Sequence, residues 1–177
     1  HFMQLGQYIW NDENLIKTLK QGAVVVMPTD TLYGIVGGAF SVETVNRIYE
    51  ARKRAFSKPC VILIGDIGEL DKFFITITEA QQNKIKEFNE PVSFILDCPS
   101  DAFAYLHRGA KTLAFRLPQE EGLRKLLKET GPLIAPSANM EGLPPATNMA
   151  EAKKYFENSV DLYIDGGTIK SKASKII

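Results

Sequence analysis

The sequence predicts an α/β fold (α+β by some schemes): a twisted mixed sheet of about seven strands, flanked by helices, with loops at its edge forming an open cleft. Three observations carry this expectation. Short apolar runs rich in valine, isoleucine and phenylalanine interleave with amphipathic helical patterns along the chain. The connections between them are too mixed for a regular strand–helix–strand series. There is no internal repeat, low-complexity tract or long linker, so the 177 residues read as one domain, 1–177, long enough to bury a core.

Taken in order, Asn11 or Asp12 caps a short helix that buries Leu15, Ile16 and Leu19 and ends at Gly22. Ala23 to Met27, with three valines, is a buried strand, and Tyr33 to Ala39 is a second, weakened by glycines. Ser41 caps a helix whose apolar face is Val42, Val45, Ile48 and Tyr49. Cys60 to Ile64 is a third strand. Thr78 and Gln81 form a capping box for a helix that carries Ile85 and Phe88. Val92 to Leu96 and Thr112 to Leu117 are strands, and Glu120 to Thr130 is a helix with Leu123, Leu126 and Leu127 inside, closed by Gly131. Leu133 to Ala135 is a short strand. Thr147 or Asn148 caps a helix reaching Phe156, and Val160 to Ile164 is the last strand, stopped by Asp165-Gly166-Gly167.

Composition narrows the function classes. The chain is 45% hydrophobic and 24% charged, ordinary for a soluble globular protein. No apolar run reaches the roughly 18 residues a membrane span needs. His1-Phe2 ahead of Met3 reads as a tag remnant rather than part of a signal peptide. Two cysteines, Cys60 and Cys98, are too few for a disulfide framework or a zinc site and read as buried and reduced, which fits a cytoplasmic protein. Basic and acidic residues balance at 21 each, so overall charge gives no support to a dedicated nucleic-acid binder. There is no glycine-rich phosphate loop, no dinucleotide fingerprint, no H-E-x-x-H and no G-x-S-x-G, and His107 is the sole histidine after Met3. Zinc hydrolysis and histidine-based triads are thereby disfavoured.

Five clusters carry chemistry. Pro28-Thr29-Asp30-Thr31-Leu32-Tyr33-Gly34 follows the first strand, where open α/β sheets bind ligands. Arg47, Arg52, Lys53, Arg54 and Lys58 face one acid within their own stretch, Glu50, and suit a polyanion or a solvated helix end. Arg116 sits at a strand end, where a guanidinium can grip a carboxylate, and Ser93 lies mid-strand. Ala135-Pro136-Ser137-Ala138-Asn139, with Gly142 and Thr147, offers a hydroxyl and an amide. Asp165-Gly166-Gly167 through Ser174 is a turn and tail whose glycines let backbone approach a ligand. Each taken alone is as well explained by a turn or a helix end.

Their order and spacing resemble the YrdC-like family of threonylcarbamoyl-AMP synthases. The pattern Pro-Thr-(Asp/Glu)-Thr-x-Tyr-Gly is matched by residues 28–34, and a basic K-x-R then K-P segment by Arg52, Arg54, Lys58 and Pro59. P-x-T is matched at Pro91 to Ser93, V-R-x-P at Phe115 to Pro118, P-S-A-N at Pro136 to Asn139, and D-G-G then S-T at Asp165 to Gly167 and Ser174. The resemblance covers about residues 20 to 177. Arg52 stands in place of the family's usual lysine and Ser93 in place of threonine, while Glu90, Glu141 and Lys175 also depart from the pattern. The end shortly after Ser174 looks like the short, single-domain type.

The resemblance implies condensation of L-threonine, bicarbonate or carbon dioxide, and ATP to threonylcarbamoyl-AMP and pyrophosphate, for threonylcarbamoyladenosine at position 37 of tRNA. It implies that Arg52, Arg54 and Lys58 hold phosphates as the catalytic cations and that Ser93 and Asn139 help place ATP. Threonine falls to Thr29, Arg116, Ser137 and Ser174, and Mg²⁺ rides on the triphosphate without a structural metal site. Downstream tRNA threonylcarbamoyl-transfer proteins are the implied partners. Two readings stand against it: a double-stranded RNA-binding module without catalysis, using the 47–58 patch, and a regulatory domain that binds ATP or threonine without turnover, for which Glu141 and Lys175 are the relevant departures.

Overall fold

The computed structural model describes residues 9–170 and 175–177. Eight strands form one mixed sheet: β1 (Val25–Pro28), β2 (Tyr33–Gly38), β3 (Ile62–Leu63), β4 (Val92–Asp97), β5 (Thr112–Arg116), β6 (Leu133–Ile134), β7 (Leu162–Tyr163) and β8 (Lys175–Ile176), in the order β7-β1-β2-β6-β3-β5-β4-β8. Pairing is antiparallel for β1–β2, β2–β6, β3–β6 and β4–β5, and parallel for β1–β7, β3–β5 and β4–β8. The helices are α1 (Glu13–Lys20), α2 (Val42–Arg52), α3 (Glu79–Lys86), α4 (Ala104–His107), α5 (Glu121–Thr130) and α6 (Met149–Phe156).

The helix starts follow from their caps. The side chains of Asp12, Ser41, Thr78 and Asn148 each accept a hydrogen bond from a backbone N–H of the first turn, and Thr78 and Gln81 complete a reciprocal capping box. Two buried clusters show how the layers stack. Leu15 and Leu19 of α1 and Leu123, Leu126 and Leu127 of α5 pack on Val25, Val36, Leu63 and Leu133. Val45, Ile48 and Tyr49 of α2, with Ala152 and Phe156 of α6, pack among Val26, Ile35 and Ile62, the alternate positions of β1, β2 and β3, and Phe115 of β5.

Several elements differ from the sequence expectation. The ladders are shorter than the apolar runs, because pairing ends where a partner ends: Cys60 to Ile64 contributes two ladder residues, and Val160 to Ile164 also two. Val42, expected on the apolar face of α2, is 48% exposed, since it opens the helix beyond the reach of the sheet. The α3 helix buries none of its residues, and Phe88 lies past its end. Strand β8, helix α4 and a 3-10 segment, Ile67–Phe73, were not foreseen, being too short or too tightly wound to show a period. No helix among the described residues is long and apolar enough to cross a membrane.

Gly37 shows how tightly α2 sits on the sheet. A Cβ there would overlap Thr44 Cγ2 and approach Ile48 Cδ1 to 3.1 Å. Thr44 cannot swing away freely, because its hydroxyl donates to Gly22 O at 2.7 Å. Gly37→Ala should therefore lower stability by about 1–3 kcal/mol, the usual result of overpacking. Urea unfolding checks this: the midpoint should fall with the slope unchanged, and an unaltered midpoint would show that the α2 interface yields.

Candidate functional site

The first cluster is a tight connection. Pro28 pairs with Tyr33, so residues 29–32 link β1 to β2. The buried Thr29 hydroxyl organises this turn: it donates to Leu32 O at 2.6 Å and accepts from the amides of Thr31 and Leu32. Thr29 is thus a turn-forming residue in the structure, whatever else it contacts.

The turn meets the end of β5. Arg116 Nε donates to both carboxylate oxygens of Asp30 at 3.0 Å, its Nη2 lies 2.9 Å from Asp30 Oδ1, and the same nitrogen donates to Thr31 at 3.3 Å. Arg116 does grip a carboxylate, but the carboxylate is the chain's own Asp30, and both side chains are almost fully buried. Ser93 stands directly opposite Arg116 in the β4–β5 ladder, and Leu63 of β3 pairs with Arg116 on its far side. Glu120, at the start of α5, belongs to the same neighbourhood. Burial pushes its carboxyl up, its own backbone N–H pulls it back, and Asp30 and Arg116 act on it in opposite directions.

The segment 136–139 joins this half of the site to the other. Ile35 N–H donates to Pro136 O, Ala138 N–H donates to Tyr33 O, and Gly34 faces Ser137 in a single antiparallel bridge. Gly34 makes room for its own side of the turn rather than for that segment: a Cβ there would stand 3.0 Å from Thr29 Cγ2 but 3.5 Å, an ordinary contact, from Pro136 O. The Ser137 hydroxyl donates to Asn139 Oδ1, and Asn139 Nδ2 donates to Met140 O at 2.8 Å. Beyond Asn139 the chain reaches the basic stretch. Arg52 Nε donates to Asn139 O at 3.0 Å, and Arg52 O accepts from the Glu141 amide at 2.8 Å.

Arg52 is 3% exposed, and its Nη1 is buried with no partner among the described residues. Burial, and next the charge of Arg54, lower its pKa from the ordinary value. Arg54 is more fully engaged. Its Nε and Nη2 donate to Lys58 O and Pro59 O at 3.1 and 2.7 Å, and its Nη1 lies 3.5 Å from Glu141. Lys53, the last residue of the α2 turn, adopts a left-handed conformation (φ 54°) that swings Arg54 off the helix axis. The side chains of Lys53 and Lys58 are exposed. Arg47, which the sequence grouped with these cations, points elsewhere and pairs with Asp161 at 2.8 Å.

The fifth cluster is tied on by Tyr33, whose hydroxyl accepts from Gly166 N at 2.8 Å and donates to Gly167 O at 2.7 Å. Ser174 lies outside the described residues. The structure thus brings together Thr29, Asp30, Arg116 and Ser93 in one group, and Arg52, Arg54, Ser137, Asn139 and Glu141 in another, with 136–139 between them. The sequence reading did not foresee the pairings of Asp30 and Glu141 or the place of Glu120. Asp30 stood in a recognised motif, but its partner is 86 residues away and no local signal marks it.

Such an arrangement can bind an anion, orient a hydroxyl-bearing ligand and stabilise charge on phosphate. It contains no activated nucleophile–base pair of the kind covalent catalysis uses. Among the described residues, no group of three or more His, Cys, Asp or Glu side chains could hold a metal ion. Cys60 and Cys98 are free and buried, and burial pushes both thiols up.

The chain is 32% identical over 152 residues to threonylcarbamoyl-AMP synthase of Bacillus subtilis, covering 84% of this chain and 44% of that protein. It is 32% identical over 166 residues to a putative threonylcarbamoyl-AMP synthase of Methanocaldococcus jannaschii, covering 93% of this chain and 78% of that protein. The crystal structure of Pyrococcus abyssi Sua5 complexed with L-threonine superposes with a TM-score of 0.84 at 28% identity, over 95% of this chain and 50% of that one. The chain therefore spans about half the length of some of the relatives it matches. The model of the Sua5, YciO and YrdC proteins, described as "Telomere recombination", matches residues 17–177, and the chain belongs to that family.

Proposed function

We propose that this protein is a nucleotidyltransferase that condenses L-threonine, bicarbonate and ATP into threonylcarbamoyl-AMP, releasing pyrophosphate, in the cytoplasm and for use by tRNA threonylcarbamoyl-transfer proteins. The observation that carries the reading is Arg52, a buried guanidinium whose Nη1 has no partner among the described residues, placed beside Arg54 and the Ser137–Asn139 segment in a chain whose relatives bear that enzyme's name.

In this scheme bicarbonate takes up a proton and loses water to give carbon dioxide, and the threonine amine nitrogen bonds to its carbon and loses a proton to solvent, giving a carbamate. A carbamate oxygen then attacks the α-phosphorus of ATP, and the bond to the pyrophosphate oxygen breaks. Acceleration comes from positioning and from stabilising phosphate charge. Arg52 supplies a buried positive charge beside the phosphates, Lys58 an exposed ammonium and Arg54 a guanidinium already oriented by its loop. Ser93 and Asn139 place the nucleotide. Asp30 and Thr31 occupy Nε and Nη2 of Arg116, leaving the Nη1 edge for the threonine carboxylate, with Ser137 and Ser174 as hydroxyl partners and Thr29 serving the threonine site by holding the turn that carries Asp30. Mg²⁺ enters with ATP and keeps most of its waters.

Pyrophosphate release on mixing protein, threonine, bicarbonate and Mg-ATP tests the proposal directly, and its absence would refute it. Valine, similar in shape but lacking the hydroxyl, should release pyrophosphate more slowly by ~10²-fold or more, because groups that hydrogen-bond the hydroxyl would be left unpaired. Comparable rates with the two amino acids would remove the threonine pocket from the scheme.

A second test separates function from stability. Arg52→Met removes a buried cation while roughly keeping its volume; relief of desolvation and of repulsion from Arg54 opposes the loss of the donor to Asn139 O. Turnover should fall on the order of 10²-fold, as for the loss of one preorganised charge stabiliser, while the protein stays folded with a single cooperative melting transition. Lys53→Ala, one residue on and exposed, should behave as wild type. Equal losses in the two variants would mean that the patch acts as diffuse charge, as RNA binding would require. Chelation of Mg²⁺ should stop turnover without moving the melting temperature of the ligand-free protein; a large drop on adding chelator would reveal a structural ion.

A further inference from the structure

We propose that Arg108 is a positioning residue for the basic loop 53–58, acting on it through the rings of Tyr49 and Phe56. The proposal rests on the reading of Arg54 and Lys58 as phosphate-binding groups. Arg108 lies at least 50 residues away in sequence and belongs to none of the motif clusters. It follows α4 in a left-handed conformation (φ 55°), its amide donating to Ala104 O at 2.8 Å. Positive φ recurs at Gly109 (90°) and Lys111 (58°), so this short corner concentrates backbone conformations that L-residues avoid. His107 anchors it, bonded through one ring nitrogen to Ser100 O at 3.1 Å and accepting at the other from Gly109 N–H at 3.1 Å.

The corner delivers the guanidinium onto two aromatic faces. The Arg108 Cζ lies 3.8 Å from the Tyr49 ring centroid and 5.5 Å from that of Phe56. The two rings are 6.1 Å apart and inclined by 8°, so one planar cation covers both. Nη2 donates to Asn46 of α2 at 3.2 Å, and the buried Nε has no partner among the described residues. Face contact with the rings, rather than a full set of hydrogen bonds, is therefore what holds the group.

Both rings report to the loop. Phe56 is one of its residues and is 59% exposed, so little else in the fold restrains it. The Tyr49 hydroxyl donates to Lys58 O, the same carbonyl that accepts Arg54 Nε at 3.1 Å. Burial keeps that hydroxyl protonated, and so a donor, across the working pH range. Arg108 is thus connected through Tyr49 and one carbonyl to the orientation of Arg54, and through Phe56 to the middle of the loop.

Limited trypsin digestion reads loop order independently of catalysis. Cleavage after Lys53 and Arg54 can be followed by mass spectrometry against cleavage after Lys17 in α1; Lys58 precedes Pro59 and is resistant. In Arg108→Ala, loop cleavage should rise ~3- to 10-fold, the range one cation–π contact supports, with cleavage after Lys17 unchanged. Phe56→Ala, an exposed substitution that does not threaten folding, should do the same. The double variant should be no worse than either single one, because both remove one contact. Arg108→Lys, keeping the charge without the plane, should recover part of the protection. In turnover the KM for ATP should rise while that for threonine stays. Unchanged loop cleavage in both single variants, or additive effects in the double variant, overturns the proposal. If the wild-type protein neither binds nor turns over Mg-ATP, the assigned reaction fails, while the proteolysis arm still decides whether Arg108 orders the loop.

Discussion

Arg52 is a cation held away from water beside a second cation, and its environment governs the rest of the site. Burial and the neighbouring Arg54 both disfavour its charged form. The described structure offers it one backbone carbonyl, that of Asn139, and a nearby carboxylate, Glu141. Two guanidiniums at close quarters under a low-dielectric roof are costly in a ligand-free protein and favourable around a polyanion. The surrounding geometry serves this condition. The carbonyl of Asn139 is in place because Pro136 and Ala138 are stitched to β2, and Glu141 is in place because its amide bonds back to Arg52 O.

The other half of the site is neutralised internally. Asp30 and Arg116 satisfy each other, so the region near Ser93 carries fixed, paired charge rather than excess positive potential. One half is thereby suited to a ligand with net negative charge. The other suits a small zwitterion that can insert beside an existing ion pair. This division of charge follows from the positions of two acids, Asp30 and Glu141, and could not be deduced from a balanced total of 21 basic and 21 acidic residues.

Much of the fold was legible in the sequence. Capped helices announce themselves locally: Asp12, Ser41, Thr78 and Asn148 each stand one residue ahead of an amphipathic pattern. Strand ends did not, because a ladder's length is set by its neighbour; Cys60 and Val61 are apolar but lie outside the β3 ladder. In the site, the motif residues were visible as types and their mutual contacts were not. Arg47 shows what helical geometry could have added. Five residues separate it from Arg52, about 140° around a helix with 3.6 residues per turn, so the two could not share a face, and Arg47 instead meets Asp161. Arg108 carries no sequence signal at all, since stacking on Tyr49 depends on a corner that forms far away in the chain.

The central position of β6 has a consequence for the order in which the molecule can be built. Its two residues, Leu133 and Ile134, pair with β2 on one side and β3 on the other. Until they have left the ribosome, the hairpin of β1 and β2 and the group formed by β3, β5 and β4 have no backbone ladder between them. A nascent chain that stops short of Leu133 thus leaves open the edges of β2 and β3 that β6 will cover, both flanked by apolar residues, the condition that invites pairing with other chains. Closure at β6 joins sequence-distant strands only after Leu133 and Ile134 are made, which predisposes the fold to slow assembly and makes this two-residue strand the part that shields both edges during synthesis.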